Sequence, residues 1–327
     1  MGQKPPDALV RRPQELAMII ALFLAALPTG LAPVTPLALA PSVRFQDEAG
    51  EDASTDKGDE AKPKRATEWP EVSKDMAKDL KTELARLRKA NTEEMAIGGR
   101  VALIEMGALA GPELLKALGK EKSEEARERI VEVLDEITTW EHTRLLAKEF
   151  GSRSADVRLL TLRRAAAFPD KGIVKEALAA YAAAEERVDT KNEVKHELYY
   201  AALAVVSAGD LTGLGVLSKR AENLWGKSGA EIRSAIEAVR GEEATTLLIK
   251  QLETGERIEK VAALRLLAGC GSPEAGKAAA KSYLDNSDNS LRVAAINAMR
   301  GIVDGDLPID KLSVFEAVGL ANEWKTR

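Results

Sequence analysis

From Thr67 onward, apolar residues recur three and four apart, and glycine, proline or Asn/Ser clusters interrupt them every dozen residues or so. No stretch alternates apolar and polar residues in the period-two manner of a strand. The pattern therefore predicts an all-α unit over residues 67–327. A frame with apolar or small residues at offsets 0, 4, 5 and 8 returns along it. It fits Ala126, Ile130, Val131, Leu134; Val157, Thr161, Leu162, Ala165; Val194, Leu198, Tyr199, Ala202; Ile258, Ala262, Ala263, Leu266; and Leu291, Ala295, Ile296, Met299. The segment EIRSAIEAVR (231–240) fits with a one-residue slip, through Ile232, Ala235, Ile236 and Val239. Starts at 126, 157, 194, 232, 258 and 291 have a mean step of 33 residues, the length of a helical-hairpin repeat.

A further amphipathic helix is predicted in each unit: GPELLKAL, HTRLLAKEF, GIVKEALAAYAA, LGVLSKRAENLW, EEATTLLIKQL and SPEAGKAAAKSYL. Within a unit the two helices are joined by EKSE, GSRSAD, VDTKNE, GKSGAE, ETGERIE and DNSDNS, which supply Ser, Thr, Asn and Asp as N-caps. A pair of 12-residue helices, each about 18 Å long, cannot cover its own apolar faces, so each pair must be buried against the next. The ends of such a stack need polar covers. The amphipathic segments 67–90 and 307–327 are suited to that.

Val157-Arg158, Ile232-Arg233 and Leu291-Arg292 open small-residue-rich helices, the last after a turn of the form G-x-P-E-A at Gly271 to Ala275. In these features residues 92–303 resemble HEAT-type repeats of the PBS-lyase kind. The resemblance implies a right-handed α-α superhelix, a HEAT-like solenoid of about six hairpins plus capping helices. The chain departs from that pattern at Glu259, which replaces the expected Arg, and in the longer first helix of the third unit (172–188). GCGSPEAGKAAAKS (269–282) also approaches a phosphate-loop pattern. No strand leads into it, however, and Ala278 stands where a magnesium-binding Ser or Thr belongs, so it is read as a turn.

The first 66 residues differ in character. Lys4, Arg11 and Arg12 precede the uncharged run AMIIALFLAAL (17–27), with small residues and prolines to Ser42, which predicts a signal peptide or signal anchor over 1–42. Residues 43–66 are rich in acids and small side chains, and 46–66 hold almost no large apolar one. Such a segment predicts a disordered acidic linker. The expected location is outside the cytoplasm, periplasmic or extracellular, with the membrane touched only through an uncleaved leader. The formal net charge of -5 argues against nucleic acid, which needs a concentrated basic stripe.

Candidate chemistry is sparse. The two histidines, His142 and His196, belong to no ligand motif, and Cys270 follows an apolar run as a small core filler would. DNSDNS lacks the glycine and distal glutamate of a calcium loop and is read as capping. No catalytic residue, cofactor or metal is expected. A row of cations, Arg127, Arg158, Lys195, Arg233 and Arg292, recurs near the start of the second helices. The resemblance implies bonds from these side chains to neighbouring turns; a ladder facing an acidic partner is the other reading. Tyr199 and Tyr200 are adjacent on one helix and face different directions, so one of them, Tyr200, joins the row as a binding candidate.

The functional expectation is an exported, non-enzymatic scaffold that holds a protein or peptide on its concave face. The alternatives are a helical-repeat enzyme, bilin lyase-like or DNA glycosylase-like, and a purely structural envelope protein.

Overall fold

The computed structural model describes residues 65–187, 192–309 and 311–327, with backbone alone at 192–195. The chain divides into two units, Met1–Glu60 and Ala61–Arg327, and everything described belongs to the second. The expected leader (1–42), nearly all of the expected linker (43–66) and the Lys195 side chain lie outside the described residues.

Among the described residues every regular element is helical and none is a strand. Two helices open the unit, α1 (Lys74–Arg88) and α2 (Glu93–Met106). Hairpins follow: α3 (Gly111–Leu118) with α4 (Glu124–Ile137), α5 (Thr143–Ala147) with α6 (Ala155–Ala167), and α7 (Val174–Arg187) with α8 (Asn192–Ser207). Next come α9 (Leu214–Asn223) with α10 (Trp225–Ile236), α11 (Glu242–Thr254) with α12 (Arg257–Cys270), and α13 (Ala275–Lys281) with α14 (Asn289–Val303). The helix α15 (Val314–Thr326) closes the unit.

The second helices of the hairpins pack in sequence, α6 on α8, α8 on α10, α10 on α12 and α12 on α14. Burial follows the repeating frame at Ala126, Ile130 and Leu134, at Val157, Leu162 and Ala165, and at Leu291, Ile296 and Met299. The buried side chains form two clusters, and α6 belongs to both. Val157 and Leu160 join the N-terminal cluster, while Leu162 and Ala165 join the C-terminal one, so opposite faces of one helix link the halves.

The predicted caps hold at Ser123, whose hydroxyl accepts the Ala126 N–H, and at Asp288, which accepts from Ser290 and Leu291. Three expectations need correction. Ile258 is 40% exposed instead of buried. A capping box between Glu256 and Glu259 sets the start of α12, leaving Ile258 in its first turn at the solvent edge; the buried stripe begins at Val261.

GKSGAE (226–231) is not an inter-helix turn either: it is helical, inside α10, and the chain reverses at Leu224. Packing overrides its weak helix propensity. The Trp225 ring lies 3.0 Å from where a Gly229 Cβ would be, and Arg220 donates to Ser228 at 3.1 Å. From α12, Arg265 donates to the Ala221 carbonyl at 2.6 Å, satisfying an orphan acceptor at the end of α9.

The third correction concerns the ends. Thr67 to Pro70 form no part of a capping helix. Arg65 donates to the Trp140 and Pro169 carbonyls at 2.6 and 2.7 Å and pairs with Asp170 at 3.2 Å, so a residue of the expected linker is already bound to the helical unit. Trp69 then stacks on His142 with ring centroids 5.4 Å apart, over Gly111, where a Cβ would collide with the indole. Of the two expected covers, α1 buries Leu80, Leu84 and Leu87 and leaves no large apolar side chain exposed, whereas α15 is not a polar cover: Val314, Phe315 and Val318 are exposed, because this helix carries apolar residues on more than one face.

The stretch with phosphate-loop character is the bend between α12 and α13. Gly271 has an ordinary φ of -65° and is needed for close approach: a Cβ there would stand 2.9 Å from Ile302. Lys277 donates to the Arg327 backbone carbonyl at 2.9 Å.

Candidate functional site: the row of second helices

Three of the predicted cations are engaged within the fold. Arg127 of α4 pairs with Asp156 of α6 at 3.1 Å. Arg158 of α6 grips Glu197 of α8 through two bonds of 2.8 and 2.9 Å, and also donates to the Ser152 carbonyl at 2.7 Å. Arg292 of α14 donates to the Asn286 carbonyl at 2.7 Å and to the Asn289 side chain at 3.3 Å. Asp156 lies in the first turn of α6, where the helix dipole also favours negative charge, and Glu197 lies one turn further into α8. The row therefore works, at Arg127 and Arg158, as rungs between successive hairpins.

The rung between α12 and α14 starts at a residue that sequence reasoning missed. Arg257 pairs with Asp288 through two bonds, while Glu259 accepts from Lys219 at 3.1 Å. Arg257 holds the Asp288 carboxyl down to about 2, aided by the Ser290 and Leu291 N–H groups. The signal was present in the capping-box spacing of Glu256 and Glu259, which places Arg257 at the helix start.

The Arg158–Glu197 pair is buried, with side chains 12% and 4% exposed. Burial alone would raise the Glu197 pKa, yet the guanidinium groups of Arg158 and Arg187 hold it below the usual carboxylate range. Arg187 of α7 reaches the same carboxylate.

Around the fourth hairpin a second kind of surface forms. The Tyr199 and Tyr200 rings are 5.1 Å apart, tilted by 56°, and Arg220 lies 4.7 Å from the Tyr199 ring centre. The Tyr199 hydroxyl donates to Glu231 at 2.9 Å. Arg233 and Arg265 stand 5.6 and 5.7 Å from the Trp225 ring centre. Tyr199 is buried, whereas Tyr200, Trp225, Arg233 and Arg265 are half-buried. The expectation that one of the two tyrosines reaches the surface holds for Tyr200. Burial raises both phenol pKa values, so each stays a neutral donor at physiological pH.

Two shallow depressions lie elsewhere, about 280 and 360 Å³ in volume, and Lys116 and Lys120 line both. Their apolar floors include Leu84 and Ala117 in one, and Trp69, Leu115 and Val157 in the other. None of the row residues borders either.

Among the described residues no three His, Cys, Asp or Glu side chains gather as metal ligands would. The Cys270 side chain is fully buried, its thiol bonded to the Leu266 carbonyl at 3.3 Å, and burial pushes its pKa up to about 12. A thiol reagent added at pH 8 is expected to leave Cys270 untouched in the folded chain and to modify it fully in denaturant; rapid labelling without denaturant would contradict this burial. His142 is nearly buried under Trp69, which pushes its pKa below the ordinary value of 6.5, and its Nδ1 accepts the Thr139 N–H at 3.1 Å. It is thus a neutral structural residue, while His196 is exposed. No described helix is long and apolar enough to cross a membrane. No protein-family model matches the chain, and a search of the curated proteins finds no relative.

Proposed function

We propose that the chain is a non-enzymatic scaffold, a HEAT-like right-handed superhelix that binds a protein or peptide on the concave side lined by its second helices. The observation that carries this reading is the half-buried group of Tyr200, Trp225, Arg233 and Arg265. Tyr, Trp and Arg are the residues that dominate binding energy where proteins meet, and here they are held by neighbours in fixed orientations. Fixed side chains lose little entropy when a partner arrives. The sequential packing of α6, α8, α10, α12 and α14 supports a continuous face on which such a partner could lie. Export through the leader, to the periplasm or outside the cell, belongs to the same proposal.

The test must spare Arg158, whose replacement would disturb the buried pair. Affinity capture with the wild type, with Tyr200→Ala and with Arg233→Glu, read by mass spectrometry, is expected to lose a common set of partners in both variants. Capture of the same proteins by all three would sink the proposed face. A visible absorption band that copurifies with the chain would instead favour the lyase-like reading.

A further inference from the structure

Ahead of α1, residues 65–69 run as a strap across the second hairpin and belong to no regular element. The Ala66 N–H donates to the Glu141 carbonyl at 2.9 Å, and Lys148 donates to the Thr67 carbonyl at 3.0 Å. Arg65 fixes one end through Trp140, Thr143, Pro169 and Asp170. Trp69 fixes the other, its ring nearly parallel to that of His142 at an interplanar angle of 11°. His142 is 8% exposed, and its Nδ1 accepts the Thr139 N–H at 3.1 Å and lies 3.2 Å from the Thr139 hydroxyl. Accepting that N–H leaves Nδ1 without a proton. An imidazolium carries a proton on both nitrogens, so charging the ring would set two N–H groups against each other beneath the indole, where burial also denies the charge its water.

We propose that residues 65–69 form an acid-released latch, in which one proton on His142 frees Trp69 and with it the strap. Trp69 is one wall of the depression of about 360 Å³ floored by Leu115 and Val157, so release widens that depression and bares the start of α3 at Gly111. Charged groups on the surrounding elements are engaged elsewhere. Arg65 and Arg144 meet at Asp170, Lys148 holds Thr67, and Glu113 of α3 pairs with Lys116. At the end of α4, Asp135 and Glu136 pair with Arg163 and Arg100. Glu141, next in sequence, favours a charged ring, but burial outweighs it. The released ring, surrounded by water, takes the proton more readily than the latched one. The latch is therefore complete above the ordinary imidazole value of 6.5 and weakens as the pH falls below it.

Hydrogen exchange of the full chain, corrected for the intrinsic effect of pH on exchange, reads the latch at the Ala66 amide. Its protection is expected to fall at least about threefold from pH 7.5 to pH 5, without a matching fall in α12. In His142→Phe, which keeps an aromatic ring under Trp69 and has no proton to gain, protection should be the same at both pH values. Arg65→Ala leaves His142 in place and should lower protection at both pH values while keeping the wild-type ratio between them. Wild-type protection that does not change with pH would overturn the proposal. So would a rise in acid, the result if the indole face attracted the imidazolium. An equal fall in His142→Phe, or one shared by α12, would also overturn it, placing the acid response elsewhere in the chain. Protection untouched by Arg65→Ala would show that the strap is not held as a latch.

Discussion

Arg158→Ala is expected to cost about 3–5 kcal/mol of stability, the penalty for leaving a buried charge without its partner. Glu197 is only 4% exposed at its side chain, and two of the three hydrogen bonds described at its carboxylate vanish with the Arg158 guanidinium. Arg187 cannot replace them fully, because it approaches from α7 and bonds the one oxygen Oε1. The damage should spread, since this rung joins the second and third hairpins at α6, a helix that contributes to both hydrophobic clusters. Urea unfolding followed by circular dichroism would read the loss as a lower midpoint, and the halves on either side of α6 should separate into two transitions. Arg158→Met with Glu197→Leu should recover most of it, because a well-packed apolar pair avoids the cost of burying two charges.

The pH dependence of this rung has a definite sign. The folded Glu197 pKa is lowered from its ordinary 4.5, so the unfolded chain binds more protons as acid is added. Its contribution is complete above about pH 4.5 and declines as the pH falls toward the folded value. Wild type and the Met/Leu double variant should therefore converge in stability, or change order, on acidification. A wild type no more sensitive to acid than the double variant would show that the carboxylate is not held by its arginines.

Gly301→Ala should be nearly as damaging, at about 1–3 kcal/mol or more, the usual cost of forcing atoms into a packed interior. Gly301 lies in α14 where that helix crosses α12, and a Cβ there would stand 2.9 Å from the Ala268 carbonyl carbon and closer still to its oxygen. The obstacle is backbone, so no rotamer change can relieve it, and the two helices must separate along their contact. Gly215→Ala is the matched control in α9. Nothing lies within 4 Å of its Cβ position, so removing backbone freedom should stabilise that helix by about 0.5–1 kcal/mol. A Gly301→Ala chain that melts with the wild type would mean that α12 and α14 pack less closely than their geometry indicates.

The practical consequence of the buried rung is that the cationic row cannot be treated as one surface. Arg127, at the exposed Asp156 pair, contributes little by itself, since such pairs are worth about 0–1 kcal/mol. Arg158 is structural in the strict sense that its partner is out of reach of solvent. Arg233 is half-buried and lies over the Trp225 ring.

Helical periodicity, hairpin spacing and most second-helix core positions were legible in the residues alone. Each depends on neighbours three or four positions away, and a repeated burial demand writes itself into that spacing. The caps at Ser123 and Asp288 were legible for the same reason. The helical run through GKSGAE was not, because Arg265 and the Trp225 ring stabilise it from elsewhere and local propensity points the other way. The pairing of Arg158 with Glu197 was equally hidden, across 39 residues that include the long third hairpin. Whether a cation near a helix start meets solvent, a turn or a carboxylate depends on where the next hairpin comes to rest. So does the exposure of Phe315: its apolar character is plain in the chain, but only the packing of α15 decides which of its two apolar faces is spent on the core.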